Sequence, residues 1–92
     1  MKYEFKESFD KSLKRIPEHT KNDIKKLAFE IIELIESGKI PTKGQKLTRL
    51  RKDYWEARAS IRERVLFKLT GDTIYFIIVG NHDDVKRFLR TI

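Results

Sequence analysis

Four side chains in the second half of the chain carry groups that can act on a phosphate: Glu56, Arg58, Arg64 and His82. Apolar residues alternate at period two in two neighbouring segments, Trp55, Ala57, Ala59 and Ile61 in the first and Val65, Phe67 and Leu69 in the second. Glu56, Arg58, Arg64 and Lys68 fall between them and so share the opposite face of two strands. A guanidinium forks two oxygens of one phosphate, which makes Arg58 and Arg64 candidates for holding a phosphoryl group; the plainer reading pairs each with Glu56 or another carboxylate. Glu56 is correspondingly either a general base or the partner of an arginine in a cross-strand ion pair. His82 stands where the next apolar run, read as the central strand, ends. An ordinary imidazole, with a pKa of about 6.5, suits proton transfer at neutral pH; the plainer reading makes His82 a helix-start residue between Asn81 and Asp83.

The charge balance points the same way. The 92 residues carry a net charge of +7. Between Lys39 and Arg64 nine basic residues stand against three acidic ones, so nearly all the excess lies in about a quarter of the chain. Such concentration favours a polyanionic partner, nucleic acid or an acidic protein, over a merely solvated surface. Lys43, Lys46, Arg49, Arg51 and Lys52 suit contacts to a phosphate backbone, which add salt-dependent affinity without reading sequence.

These groups need a scaffold, and the pattern describes one. Residues 2–6 alternate as a short strand with Tyr3 and Phe5 on one side. Residues 8–16 place Phe9, Leu13 and Ile16 on one helical face, and Pro17 ends that helix or opens the next. From 17 to 37, Ile24, Leu27, Ala28, Ile31, Leu34 and Ile35 form an apolar stripe at helical spacing, with Gly38 as the residue after the helix. Residues 39–53 read as a basic connection broken by Pro41 and Gly44, with a helical turn around Leu47 and Leu50. The meander follows, with its second turn at Thr70-Gly71-Asp72, and Thr73–Val79 is apolar enough to be buried on both faces. Asn81 is the N-cap of a closing helix that uses Val85, Phe88 and Leu89, and Asp83 and Asp84 complement its dipole. The expectation is a single α+β domain over 1–92, in the order β-α-α-β-β-β-α, its antiparallel sheet packed against the N-terminal helices.

Several classes are set aside. The chain has no cysteine, hence neither disulfides nor a thiolate zinc site, and His19 has no second histidine one helical turn away. No strand precedes residues 39–53 directly and no GKS or GKT occurs there, so no phosphate loop of that type is present. No apolar run reaches membrane-spanning length and the N-terminus lacks a signal-peptide core, so a reducing cytoplasm is the expected location and no membrane partner is expected.

Lys46-Leu47, then Tyr54-Trp55-Glu56-Ala57-Arg58, then Arg64-Val65-Leu66-Phe67, then Ile78-Val79-Gly80-Asn81-His82-Asp83-Asp84-Val85 occur in an order and spacing that resembles the RelE/ParE superfamily. These are the toxin halves of toxin–antitoxin pairs, and the likeness spans essentially the whole chain. The resemblance implies one of two activities. RelE-type members are ribosome-dependent endoribonucleases that cut mRNA in the A site; ParE-type members inhibit DNA gyrase without nuclease chemistry. A degenerate, non-toxic relative is a third reading. For the nuclease the resemblance places His82 in the cleft as general acid or base, puts Arg58 and Arg64 on the phosphate, and needs neither metal nor other cofactor. It also implies a cognate antitoxin, assembly with it as a hetero-oligomer, and the ribosome and mRNA as partners. One departure stands out. Several nuclease members carry a tyrosine in the final segment, whereas here the nearest aromatic is Phe88, which exchanges no proton and can only stack on a base or fill the core.

Overall fold

The computed structural model describes residues 1–38 and 47–92. Its elements are β1 (Lys2–Phe5), α1 (Glu7–Leu13), α2 (Glu18–Glu36), β2 (Leu47–Arg51), β3 (Tyr54–Arg58), β4 (Arg64–Thr70), β5 (Thr73–Gly80) and α3 (His82–Leu89). One five-stranded sheet has the order β1-β5-β4-β3-β2, with β4 in the middle. The domain is α+β, with one strand more than the sequence pattern suggests and a sheet that is antiparallel except where β1 joins β5 in parallel.

The additional strand is β2, where a helical turn was expected. Leu47 and Leu50 are three apart, which reads as one helical face. In a strand an odd spacing sends them to opposite faces, and each packs against a different core: Leu47 joins the one under α1 and α2, Leu50 the one under α3. The residues that connect α2 to β2 lie outside the described set.

The first core fills the sheet face covered by α1 and α2. It contains Phe9, Ile24, Ala28 and Ile31 from the helices and Ala57, Val65, Phe67, Ile74 and Phe76 from the strands, all nearly solvent-free. Phe5 stacks on Phe76 at 4.8 Å between ring centroids. Full burial of a Phe side chain stabilises by roughly 1.5–3 kcal/mol, so this cluster supplies much of the folding energy. The α2 stripe behaves as its spacing predicts, and Gly38 follows the helix at φ +74°, a conformation open to glycine.

The opposite face is not the solvated surface that its charges suggest. α3 covers it, and Leu66, Ile77 and Val85 form a second buried cluster, with Tyr54, Tyr75, Ile78 and Phe88 packed around it. A bulge between Leu66 and Phe67 in the β4–β5 ladder makes this possible: Leu66 pairs with Ile78 and Phe67 with Phe76, which leaves Ile77 as the extra residue. Two successive isoleucines therefore turn to the α3 side. Thr70 and Thr73 close the β4–β5 hairpin around Gly71, which takes φ +59°.

Two hydrogen-bonded devices set the edges of this end of the sheet. β1 covers β5 only as far as Phe76, and beyond it α1 takes over. Ser8 Oγ donates to the Ile77 carbonyl at 2.6 Å and Val79 N–H donates to Ser12 Oγ at 2.9 Å, so two hydroxyls one helical turn apart satisfy the strand edge. β3 ends at Arg58 rather than continuing to Ile61, because Ser60 Oγ accepts from the backbone N–H groups of Arg62 and Glu63 and forms a turn. Ile61 sits at its tip, 93% exposed.

Candidate active site

The strand register builds a transverse row at one end of the sheet: Arg58 on β3 lies opposite Arg64 on β4, and Arg64 lies opposite Gly80 on β5. With strands about 4.8 Å apart, the row spans about 10 Å. Two residues beyond Gly80, His82 opens α3. The sheet thus brings Arg58 and Arg64 side by side and leads the chain directly from their row into the histidine.

Each member has a distinct setting. Arg64 Nη1 donates to Glu56 Oε2 at 3.1 Å, with the two side chains retaining 17% and 10% of their exposure. Among the described residues, Glu56 is the one charged residue in the buried set. Its carboxylate is committed to Arg64, and Arg64 Nε is buried without an acceptor. A buried guanidinium held on one side by a carboxylate has little rotamer freedom, so its remaining donors point in a fixed direction. Arg58 is exposed and borders a small recess against Asp23, Lys26 and Glu30 of α2. His82 is exposed and has no side-chain hydrogen bond among the described residues.

The start of α3 is rigid around it. Asn81 Oδ1 accepts from Asp84 N–H at 2.8 Å and Asp84 Oδ2 accepts from Asn81 N–H at 2.9 Å, a complete capping box. Gly80 is needed beside it for close approach: a Cβ there would stand 2.6 Å from Asp84 Oδ2. Asp84 serves the cap, and Asp83 completes the acidic first turn.

The rest of the basic run is elsewhere. Arg49 Nε donates to the Lys52 carbonyl at 2.7 Å inside the β2–β3 turn, where Lys52 takes φ +46°. Arg51 Nη1 donates to the Leu89 carbonyl at 2.9 Å, so it satisfies the C-terminal end of α3. This group lies at the far end of β3 from Arg58, about 13 Å away along the strand. Lys43 and Lys46 are outside the described residues. The described part of the cationic run is therefore divided between the two ends of the sheet.

The structure also assembles a cleft that no local pattern announces. A cavity of about 530 Å³ opens along the end of β5 between α1 and α3. Its walls are Ser12, Arg15 and Ile16, then Arg62 and Glu63, then Asp84, Arg87, Phe88 and Thr91, and its floor is Ile78, Val79, Gly80 and Asn81. Phe88 is half-buried, in the second core with Tyr54, their ring centroids 6.5 Å apart. Among the described residues no group of His, Asp and Glu is arranged to hold a metal ion, and no helix is long and apolar enough to cross a membrane.

No protein-family model and no curated protein matches the sequence. Solved structures do match. The RelB–RelE antitoxin–toxin complex from Methanococcus jannaschii is 23% identical, with a TM-score of 0.64 over 91% of this chain and 95% of that one. The DinJ–YafQ toxin–antitoxin complex of E. coli is 21% identical, with a TM-score of 0.67 over 90% and 93%. The YoeB/ParE toxin from Agrobacterium tumefaciens is 18% identical, with a TM-score of 0.62 over 89% and 99%. At these identities the likeness is one of fold, and it extends over nearly the whole of each chain.

Proposed function

We propose that this chain, built on the fold of the RelE/ParE toxins, is the toxin of a toxin–antitoxin pair and a ribosome-dependent mRNA endoribonuclease. The observation that carries the reading is the row Arg58–Arg64–Gly80 with His82 two residues beyond it. The reaction is a metal-free transesterification. The 2′-oxygen attacks the adjacent phosphorus, the 5′-oxygen leaves, and a 2′,3′-cyclic phosphate and a free 5′-hydroxyl result. Arg58 and Arg64 stabilise the charge that grows on the phosphorane oxygens. His82 takes the proton of the 2′-hydroxyl or gives one to the departing 5′-oxygen, and solvent water carries the other transfer. Glu56, bound to Arg64, holds that guanidinium in place. Arg49, Arg51 and Lys52 contact the RNA backbone away from the scissile bond, and the charges of Lys43 and Lys46 add to that backbone affinity. The partners are the ribosome with its mRNA and a cognate antitoxin. The RelE and YafQ structures that share the fold hold the antitoxins RelB and DinJ, which supports that last assignment.

The test is inducible expression of the parent, His82→Ala and Arg58→Ala, with primer extension on abundant transcripts. Both positions are exposed, so the variants keep the fold. Cuts within translated codons are expected in the parent and should fall by about 10²–10⁴ in rate without the histidine. Growth arrest with intact transcripts would refute the nuclease and move the target to a protein such as gyrase. Harmless expression of the parent would refute toxicity altogether.

A further inference from the structure

The cleft between α1 and α3 is cationic at its rim and apolar inside. Arg15 and Arg62 are exposed and form no ion pair among the described residues. Arg87 shares one nitrogen with Asp84 at 3.2 Å, and its side chain is otherwise 72% exposed. The cleft's two carboxylates are already engaged, Asp84 in the helix cap and Glu63 with the Ser60 hydroxyl at 2.8 Å. Three guanidiniums, from the α1–α2 connection, the β3–β4 turn and α3, thus line one concavity. Against the carboxylates of Asp84 and Glu63, three positive charges and two negative ones leave the cleft with a net charge of +1, and Arg15 and Arg62 are the guanidiniums in it open to an external anion. Ile16, Ile78 and Phe88 present half-buried apolar surface in the same space.

We propose that this cleft binds one nucleotide of the RNA strand, with its phosphate on Arg15, Arg62 and Arg87 and its base against Ile16, Ile78 and Phe88. The inference rests on the nuclease reading and extends it by placing the nucleotide next to the scissile bond. Continuity with the catalytic row supports the placement: Gly80 belongs to both, Arg62 stands two residues before Arg64, and Asn81 adjoins His82. The chemistry fits, because a guanidinium matches phosphate geometry and a base lies well on an aromatic or aliphatic surface. The size fits too, since small-ligand pockets run from about 300 to 1,000 Å³. A compact pocket walled by three elements suits one nucleotide better than it suits an acidic helix, which docks along a groove through anchors at i, i+3, i+4 and i+7.

The experiment is an NMR titration of the ¹⁵N-labelled protein with 5′-mononucleotides, the matching nucleosides, inorganic phosphate and a poly-glutamate peptide. Mononucleotides should shift the Val79, Gly80 and Asn81 amides and bind at least tenfold more tightly than nucleoside or phosphate alone. The double variant Arg15→Ala/Arg62→Ala should weaken them tenfold or more while its urea midpoint stays put. Equal affinity for phosphate and nucleotide, shifts that ignore the double variant, or binding of poly-glutamate in place of nucleotides would each overturn the proposal. The titration is independent of catalysis. Binding in the cleft without RNA cleavage would refute the nuclease and leave the site standing, whereas cleavage without binding there would remove the site alone.

Discussion

The ion pair between Glu56 and Arg64 offers the sharpest energetic test. Its members are about nine-tenths and five-sixths buried, and they meet through one nitrogen and one oxygen at 3.1 Å. In Glu56→Leu the largely buried guanidinium loses its carboxylate, while its Nε already lacks an acceptor among the described residues. Removing one partner of a buried pair costs about 3–5 kcal/mol. The residual exposure of Arg64 lets some water in, so the lower end, about 3 kcal/mol, is expected. In a domain of this size each kcal/mol moves the midpoint of thermal unfolding by about 4–8 °C, so a drop of about 12–24 °C should follow. Arg64→Met strands the carboxylate and should cost a similar amount. The double variant Glu56→Leu/Arg64→Met places two apolar side chains of similar bulk beside Leu66 and should lie within about 1 kcal/mol of the parent. Urea unfolding followed by the fluorescence of Trp55, which neighbours Glu56 on β3 and stacks on Phe67, reads all four proteins. Costs of the two singles that simply add in the double, or a single within about 0.5 kcal/mol of the parent, would show that the pair is not closed in solution.

Two further outcomes follow from the site's supports. Gly80→Ala should destabilise by about 1–3 kcal/mol, because the new Cβ meets both Oδ2 and Cβ of Asp84 and forces α3 away from its cap. Amide exchange at Asn81 and Asp84 should quicken in that variant, and unchanged exchange would mean the helix absorbs the methyl freely. Ser12→Ala leaves the part-buried Val79 N–H without its acceptor and should cost about 1–3 kcal/mol in urea unfolding; a neutral result would imply that water replaces the hydroxyl.

Much of the fold is legible in the residues, and the gaps have definite physical causes. The α2 stripe, the hairpin at Gly71 and the Asn81 cap are local signals, and each appears where its residues stand. β2 was hidden because its leucines serve two cores, and a residue that faces a second core looks like a phase error to any single-face reading. The polar face of β3 and β4 was hidden for a related reason. Alternating charges announce solvent, yet Glu56 and Arg64 pair with each other in a largely buried setting while Leu66 beside them joins the core under α3. The serines of α1 carry no signal at all, because their partners are backbone groups more than sixty residues away. The candidate catalytic groups were readable as types and parity. Arg15, Arg62 and Arg87 were not, since only the packing of α1 and α3 against β5 gathers them.

The parallel pairing of β1 with β5 also bears on how the protein is born. Lys2 is synthesised well before its partner Thr73, and Ser8 and Ser12 likewise wait for Ile77 and Val79. β2, β3 and β4 can pair beforehand, but β1 has no neighbouring strand until β5 emerges, and α3 follows β5. Every part of the candidate site depends on that final stretch: Gly80 closes the arginine row, His82 opens the helix, and the cleft needs both walls. A copy truncated before Thr73 consequently lacks the strand that completes the arginine row and leads into His82.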